Sequence, residues 1–306
     1  MNVLVTEAID PVARRVCRAL AEAGHVVAAL SRDPQRAVEA VPGLRGVFPW
    51  DPLSAPPASS ALENFDAVVH LPPLDVLGRW TAARRRAMRD ARVVASRHLV
   101  EGLARAQSRP SRMVMVGSAA VYGDRGDEVL TEASPPGEGF LAGVCLEAEA
   151  EAAAAREAGV EVVLIRAGIV LSPVGGLMAV LAPLYRWGLG GPMGGGRQWW
   201  SWIHLEDLVG LILTVLVAEE ATGLMNAVSP SPARQRDFAR TLGRVMGRPA
   251  VVPTPGFTLR HLLGGMAHEL LASRRVVPEA ALGVGYRFLF SDLETALADV
   301  VARRRG

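Results

Sequence analysis

Short apolar runs alternate with helix-forming segments through the first two-thirds of the chain, and this alternation limits the possible folds more than any other feature. Strands that alternate with helices favour a parallel sheet with helices on both faces, because each crossover returns the chain to the same end of the sheet. The pattern predicts long helices at 82–106 and 141–157. It predicts strands at 3–5, 26–30, 46–48, 67–70, 113–116 and 160–165.

The first strand, helix and second strand have the layout of a Rossmann βαβ unit. The helix carries apolar residues at Val12, Val16 and Leu20 and ends at Gly24, and the second strand follows directly. We therefore predict an α/β protein with a Rossmann-like, doubly wound parallel sheet and a smaller C-terminal substrate-binding lobe. In such a unit, glycines form the tight turn, let the main chain approach a pyrophosphate and let the helix pack on the strand.

The turn in this chain, at residues 6–13, contains no glycine: Glu7, Asp10 and Ala13 take the three glycine positions. Two carboxylates would thus meet two phosphate charges, and each close pair of like charges costs about 1 to 4 kcal/mol at effective dielectric constants of about 80 to 20. Pro11 also removes a backbone N–H that a phosphate could use. We therefore expect that the fold is kept, that dinucleotide binding is lost and that no cofactor is needed. Alternatively, the acidic residues do not line a ligand site, and Asp10 caps the first helix.

The chain contains no lysine, so all 33 of its basic side chains are arginine. Chemistry that needs a lysine to form a Schiff base or to lower the pKa of a tyrosine is therefore excluded, because arginine stays protonated. The net charge is +2 and the arginines are spread along the chain, which argues against a nucleic-acid partner. The densest run, at 84–86, fits a solvated helix face better than a phosphate site.

Cysteine usage and the start of the sequence indicate the compartment. The two cysteines, Cys17 and Cys145, lie in apolar helical contexts, which suits buried thiols in a reducing environment. A strand begins at once after Met1, which leaves no room for a signal peptide, and the longest apolar run, 208–218, is too short to span a bilayer. We expect a cytoplasmic protein that acts on a small molecule, without a membrane partner and with an unknown oligomeric state.

Beyond residue 170 the alternation weakens and glycines cluster at 188–191 and 194–196. We predict a Rossmann-like domain at 1–170, to which 203–228 return, and a substrate lobe formed by 171–202 and 229–306. Within that lobe, 253–275 are predicted to be helical and 286–290 to form a short strand. No metal site is predicted, because His261 and His268, which could share a helix face, lack a third ligand.

Five blocks of sequence are distinctive: 78–81, 122–128, 140–145, 195–204 and 253–257. In this order they resemble the short-chain dehydrogenase/reductase superfamily, extended type, and in particular its atypical "epimerase family" branch. The resemblance implies that Ser118 is the catalytic serine that hydrogen-bonds the substrate oxygen, and that Arg32 contacts the 2′-phosphate of NADP if NADP(H) binds. The superfamily's catalytic tyrosine and lysine would fall on Leu141 and Cys145, which cannot replace them, and His70 stands where the family has asparagine.

The side chains themselves suggest further site residues. Ser118 follows a strand at the ligand-binding edge of the sheet; Tyr122 could donate a proton or simply pack, and His70 could act as an acid or base near neutral pH. Arg197, after three glycines, could recognise an anionic or carbonyl-bearing ligand. The aromatic residues expected to shape its pocket are Trp199, Trp200, Trp202 and Tyr185.

Three functions remain open at this point. We favour a cofactor-independent isomerase, cyclase or lyase that acts on a small, mostly apolar substrate, since such chemistry needs only positioning and acid–base groups. The alternative is an NADP(H)-dependent reductase or epimerase that keeps weak cofactor binding through Arg32. A non-catalytic binding or regulatory protein ranks last.

Overall fold

The computed structural model of the protein describes residues 1–73 and 76–304. The strands are β1 Asn2–Thr6, β2 Val26–Ser31, β3 Gly46–Pro49, β4 Ala67–His70, β5 Arg112–Ser118, β6 Val129–Leu130, β7 Glu161–Ala167, β8 Ile169–Leu171, β9 Trp199–Trp200, β10 Trp202–His204, β11 Gly223–Ala227, β12 Ala233–Arg234 and β13 Arg275–Val276. The α-helices are α1 Pro11–Glu22, α2 Pro34–Ala40, α3 Ala82–Arg105, α4 Phe140–Ala153, α5 Gly176–Arg186, α6 Leu205–Val217, α7 Gln235–Met246, α8 Gly256–Leu263, α9 Met266–Leu271, α10 Glu279–Gly283 and α11 Leu293–Arg303. Short 3-10 helices cover Ser59–Ala61, Ala119–Tyr122 and Ala154–Ala158.

Seven strands form one parallel sheet in the order β11-β7-β5-β4-β1-β2-β3. This confirms the predicted Rossmann-like α/β fold, and each of the six predicted strands is present. Side chains alternate across the sheet, so in β1 Val3 and Val5 pack on one face and Leu4 packs on the other. Because both faces are buried, the middle residues of the central strands are apolar, which is the pattern expected of a parallel sheet.

Helices cover both faces of this sheet. On one face α1 and α6 supply fully buried residues such as Val16, Leu20, Leu208 and Ile212. On the other face α3 and α4 supply Leu99, Leu103, Val144 and Ala148. None of the described helices is both long and apolar enough to cross a membrane. The cytoplasmic location stays a prediction.

The C-terminal elements have a separate core. Trp202 and Phe238 are fully buried there, and the rings of Trp200 and Phe238 meet edge to face at 5.2 Å. The helices α5, α7 and α11 surround this cluster. The predicted helical tail is interrupted: α8 and α9 are separated at Gly264 and Gly265. His261 and His268 therefore lie on different helices and do not share one face.

The strand predicted at 286–290 is wrong. Asp207, near the start of α6 and fully buried, accepts hydrogen bonds from the Leu289 and Phe290 amides at 2.6 and 3.0 Å and from the Tyr286 hydroxyl at 3.3 Å. These backbone donors are thus satisfied by a carboxylate instead of a neighbouring strand. Asp207 therefore ties the C-terminal segment to α6.

We predict that Asp207→Ala lowers the free energy of unfolding by about 3 kcal/mol, because it removes a fully buried carboxylate that holds the Leu289 and Phe290 amides and leaves these part-buried N–H groups without their charged acceptor. Urea denaturation would measure the loss. Asp237→Ala is the matched control, since that side chain is 49% exposed and its nearest cations are 3.5 and 3.9 Å away; it should cost less than about 0.5 kcal/mol. Equal effects of the two substitutions would contradict this role for Asp207.

Candidate functional site

The candidate site lies at the carboxyl edge of the sheet, where open α/β sheets bind ligands. Four strands end there at polar residues: Thr6 on β1, Ser31 on β2, His70 on β4 and Ser118 on β5. Neighbouring parallel strands bring these ends together, since β1 lies between β2 and β4, and β5 lies beside β4. The edge therefore combines the turn after β1 with the candidate catalytic serine.

Asp10 caps α1 at the turn after β1. Its carboxylate accepts hydrogen bonds from the backbone amides of Val12 at 2.8 Å and Ala13 at 3.3 Å. Burial raises the pKa of this carboxyl, and the two amides oppose that shift. A helix offers these first-turn amides as donors to a bound anion. In this protein the Asp10 carboxylate takes the position of that anion.

Glu7 keeps the backbone shape that a glycine would give the turn. Its φ is +56°, in the left-handed region that side chains seldom adopt. The Glu7 carboxylate lies 3.7 Å from the guanidinium of Arg32 at the end of β2. Burial raises the pKa of Glu7, and Arg32 partly offsets the rise. The turn geometry therefore survives the loss of its glycine.

Two backbone amides of this turn have no acceptor among residues 1–73 and 76–304. The N–H groups of Ala8 and Ile9 donate no hydrogen bond to the described residues, although Ala8 is fully buried. Buried N–H groups without a partner are rare in folded proteins. Ala13, at the third glycine position, is also fully buried, and it packs in the cluster between α1 and the sheet. The turn therefore still offers donors to a ligand.

The position of His70 does not fit the hypothesis that it acts as an acid or base near neutral pH. It is 1% exposed and its two ring nitrogens lie 3.1 Å from the hydroxyls of Thr6 and Ser96. Burial lowers the pKa of His70 to about 3. The imidazole is therefore neutral at physiological pH and connects β1, β4 and α3.

Ser118 and Tyr122 lie close in sequence but differ in availability. The Ser118 hydroxyl oxygen, partly exposed, accepts a bond from the Ala120 amide at 3.2 Å, and its own proton is not donated within the described residues. Tyr122 is fully buried, and its hydroxyl donates to Asn226 Oδ1 at 2.8 Å. Ser118 can therefore donate to a ligand, whereas the Tyr122 proton is already used in the core.

A buried ion pair lies beneath Tyr122. Arg166 contacts Glu149 through two hydrogen bonds of 2.9 and 2.7 Å, and its guanidinium carbon lies 4.9 Å from the centre of the Tyr122 ring. Leu141 and Cys145, at the positions of the superfamily's tyrosine and lysine, are also buried. Burial raises the pKa of the Cys145 thiol to about 12, so this thiol stays protonated.

The loop that follows Tyr122 closes on itself. A Cβ at Gly137 would collide with the carbonyl oxygen of Tyr122, and one at Gly123 would lie 2.7 Å from the carbonyl oxygen of Glu138. Both ends of the loop 124–136 therefore meet through glycines. The loop places Asp127 beside the C-terminal lobe, where its carboxylate accepts from the Trp199 indole at 3.1 Å.

The residues predicted to bind substrate in the C-terminal lobe separate into two groups. Arg197 is exposed and Trp199 half-buried, and Arg197 lines an open groove of about 1060 Å³. Trp200, Trp202 and Tyr185 are at most 3% exposed and belong to the lobe core. In the structure these three rings pack in the core of the lobe. The sequence analysis missed the arginines that meet Arg197 in the groove, which are Arg234, Arg236 and Arg260.

Within residues 1–73 and 76–304, no group of three His, Cys, Asp or Glu side chains is placed to hold a metal ion. His204 instead begins α6: its Nδ1 accepts the Glu206 amide at 3.2 Å, and its Nε2 lies 3.1 Å from the Asp299 carboxylate. His204 therefore holds α6 to α11.

The strand order, the β1–α1 crossover and the arginine at the end of β2 define a Rossmann-fold protein of the short-chain dehydrogenase/reductase type. The chain belongs to the NAD dependent epimerase/dehydratase family, whose sequence model matches residues 9–227, and this confirms the resemblance. A second model, a domain of unknown function (DUF1731), matches residues 254–300.

Relatives match along nearly the whole chain. The chloroplastic SDR39U1 homologue of Arabidopsis thaliana is 32% identical over 98% of this chain and 87% of its own length. The YfhF protein of Bacillus subtilis is 30% identical over 100% of this chain and 99% of its own. The crystal structure of human SDR39U1 (isoform 2) with NADPH superimposes with a TM-score of 0.86, at 30% identity and 99% coverage of both chains.

These findings correct the prediction of a cofactor-independent enzyme. A relative that matches over the full length was crystallised with NADPH, and the family is described as NAD dependent, so the expectation that dinucleotide binding is lost and that no cofactor is needed is wrong. The physical reason lies in the turn. Its charges could be inferred from the sequence, but its positive φ at Glu7 and its free amides at Ala8 and Ile9 could not.

We predict that His70 makes stability depend on pH. Its folded-state pKa is below the unfolded value of about 6.5, so the unfolded chain binds the additional proton, and stability is lost as pH falls below about 6.5. With a folded pKa of about 3, wild type should lose about 2 kcal/mol more than His70→Asn between pH 7 and pH 5. Urea unfolding at the two pH values measures the difference. His261→Gln, at an exposed position, should follow wild type; parallel curves for wild type and His70→Asn would refute the assignment.

Proposed function

We propose that the protein is an NADP(H)-dependent reductase or epimerase that acts on a small molecule and binds its cofactor weakly. The observation that carries the proposal is the position of Arg32, which is exposed directly after β2 and next to a turn whose Ala8 and Ile9 amides donate to none of the described residues. The NADPH in the crystal structure of human SDR39U1, the same fold at 30% identity, supports it.

The residues of the turn fit a dinucleotide in three respects. Glu7 gives the backbone its left-handed turn, and Arg32 supplies a guanidinium suited to a 2′-phosphate. Ala8 and Ile9 supply N–H groups for phosphate oxygens, since these amides donate to none of the described residues. Asp10 acts against binding, because its carboxylate occupies the first amides of α1. Because these contacts act in opposite directions, we expect the site to bind NADP(H) with reduced affinity.

The cofactor, when bound, supplies or accepts hydride. This chain contributes a hydroxyl at Ser118 that can donate a hydrogen bond to the substrate oxygen, since no described residue accepts its proton. Tyr122 does not compete for this role, because its proton is held by Asn226. Leu141 and Cys145 do not supply such a donor, because both side chains are buried.

We expect Arg32→Gln to lower NADPH affinity about tenfold or more and to leave NADH affinity within about twofold, because only NADPH carries the 2′-phosphate. Fluorescence titration with both nucleotides measures the two affinities. Arg18→Gln, which removes an exposed arginine from α1, is the control and should change neither. An equal loss for NADPH and NADH would show that Arg32 does not contact the 2′-phosphate.

Asp10→Asn should raise NADPH affinity about tenfold at pH 8, because the amide oxygen still caps α1 while the negative charge is removed. The gain should shrink as pH falls, since protonation also neutralises the wild-type carboxyl and burial raises its pKa. Asp292→Asn is the matched control: Asp292 caps α11 through the Thr295 amide in the same way. An unchanged affinity in Asp10→Asn would mean that this carboxylate does not limit binding.

A further inference from the structure

The outer face of α5 carries apolar side chains. The helix packs on the core of the C-terminal lobe through Met178 and Tyr185. On the opposite side Val180 and Leu184 are 47% and 40% exposed, and Trp187, where the helix ends, is 83% exposed. The helical spacing of these three residues places their side chains on one face. A surface helix normally presents polar residues to water, so this apolar face is unusual.

The segment before α8 widens this apolar face. The Leu189 amide donates to the Leu184 carbonyl at 2.9 Å, which holds the loop after α5 against the helix. The Val252 amide donates to the Gly190 carbonyl at 3.1 Å, so the two segments lie side by side. Leu189, Val251 and Val252 are 56%, 74% and 40% exposed. Together with the helix residues they form one surface, here called the α5 patch, which consists of Val180, Leu184, Trp187, Leu189, Val251 and Val252.

The charged residues at the edge of the α5 patch are basic. All of the patch lies within residues 162–205 and 238–268, and neither stretch contains an aspartate or a glutamate. Arg186, in the last turn of α5, and Arg248, shortly before Val251, are exposed. Their side chains make no ion pair or hydrogen bond with residues 1–73 or 76–304. The patch therefore combines an apolar centre with positive charge at its edge.

Two further arginines lie beside the patch and are paired only at the surface. A groove of about 520 Å³ reaches Val251 and is lined by Arg240 and Arg244. Arg240 lies 3.5 Å from Asp237, and Arg244 lies 2.7 Å from Glu294. Exposed ion pairs of this kind are weak. The two arginines therefore add to the positive potential on this side of the lobe.

The charges decide which partner suits the α5 patch. Two-fold symmetry would set the patch of one copy against the same patch of another. Such a dimer would bring Arg186 and Arg248 towards arginines, without a carboxylate from either stretch to pair with them. The surface of an anionic bilayer offers negative headgroups to the arginines and an acyl boundary to the apolar side chains. Tryptophan is also enriched at membrane–water interfaces.

We propose that the α5 patch binds the surface of an anionic lipid bilayer, with α5 parallel to the membrane plane. Leu184 and Trp187 enter the boundary between headgroups and acyl chains, while Arg186 and Arg248 stay among the headgroups. The expectation that the protein has no membrane partner rested on the length of its apolar runs. Length bears on spanning a bilayer and leaves binding at its surface open. This surface is separate from the turn after β1 and goes beyond the proposed NADP(H) function.

The test is sedimentation of the full chain, without nucleotide, with vesicles made of equal parts of phosphatidylcholine and phosphatidylglycerol. Wild type should sediment with these vesicles and should bind vesicles of phosphatidylcholine alone at least about tenfold more weakly. Trp187→Ala should lower the partition constant about tenfold, because it removes the largest apolar side chain of the patch. Arg248→Gln should lower it about fivefold, the effect of one arginine near an anionic surface. Both side chains are exposed, so the melting temperature should not change.

Two substitutions outside the patch serve as matched controls. Leu53→Ala removes an exposed apolar side chain, and Arg287→Gln removes an exposed arginine. Each should change the partition constant less than about twofold, since neither side chain belongs to the patch. Losses in the controls equal to those in Trp187→Ala and Arg248→Gln would indicate a general effect of hydrophobicity and net charge, and would overturn the inference.

Other results would also overturn it. One is the absence of wild-type binding to the mixed vesicles, and another is equal binding to phosphatidylcholine alone, which would remove the role of anionic lipid. A dimer seen by light scattering without vesicles, and lost in Trp187→Ala, would identify a second copy of the chain as the partner. Tighter binding of soluble polyglutamate, lost in the same two variants, would identify an acidic protein. Because no nucleotide is present, failure here leaves the proposed function untouched, and the converse also holds.

Discussion

The parallel pairing of the seven strands is the constraint on which the other features depend. A parallel sheet buries both faces, so its strands must be apolar and its polar residues can gather only at the strand ends. Thr6, His70 and Ser118 share one edge for this reason, although they are far apart in the sequence. The fold thus assembles the candidate site before any particular chemistry is chosen.

The parts of the fold that depend on local pattern could be predicted from the sequence, whereas those that depend on distant partners could not. The strand at 113–116 follows from a short apolar run and the helix at 82–106 from a long stretch of helix-forming residues, and the structure contains both. The segment 286–290 has a strand-like composition, but its amides bond to Asp207, about 80 residues earlier. The sequence leaves Tyr122 either a proton donor or a packing residue, and the acceptor of its hydroxyl proton, Asn226, is 104 residues away.

The turn after β1 and the groove beside Arg197 also show what a sequence can and cannot reveal about a site. At the turn after β1, the charges of Glu7 and Asp10 were evident in the sequence, while the backbone conformation that preserves the turn was not. In the C-terminal lobe, Arg197 was evident because of its glycines. Arg260 was not, because its helix reaches the groove only through tertiary packing. Side-chain charge is thus visible in a sequence, but its convergence with backbone donors is a property of the folded chain.

The glycine contacts at Gly123 and Gly137 have an evolutionary consequence. Main chain touches main chain where the loop 124–136 begins and ends, so the ends of the loop have fixed positions beside the 3-10 helix at Ala119–Tyr122. Inside the loop, β6 pairs with β13, and the Glu132 carboxylate accepts the amide of Asn226 on β11 at 2.9 Å. Substitutions that keep these contacts can therefore change the exposed side chains that the loop carries to the rim of the neighbouring lobe, where Asp127 lies, while the scaffold stays constant.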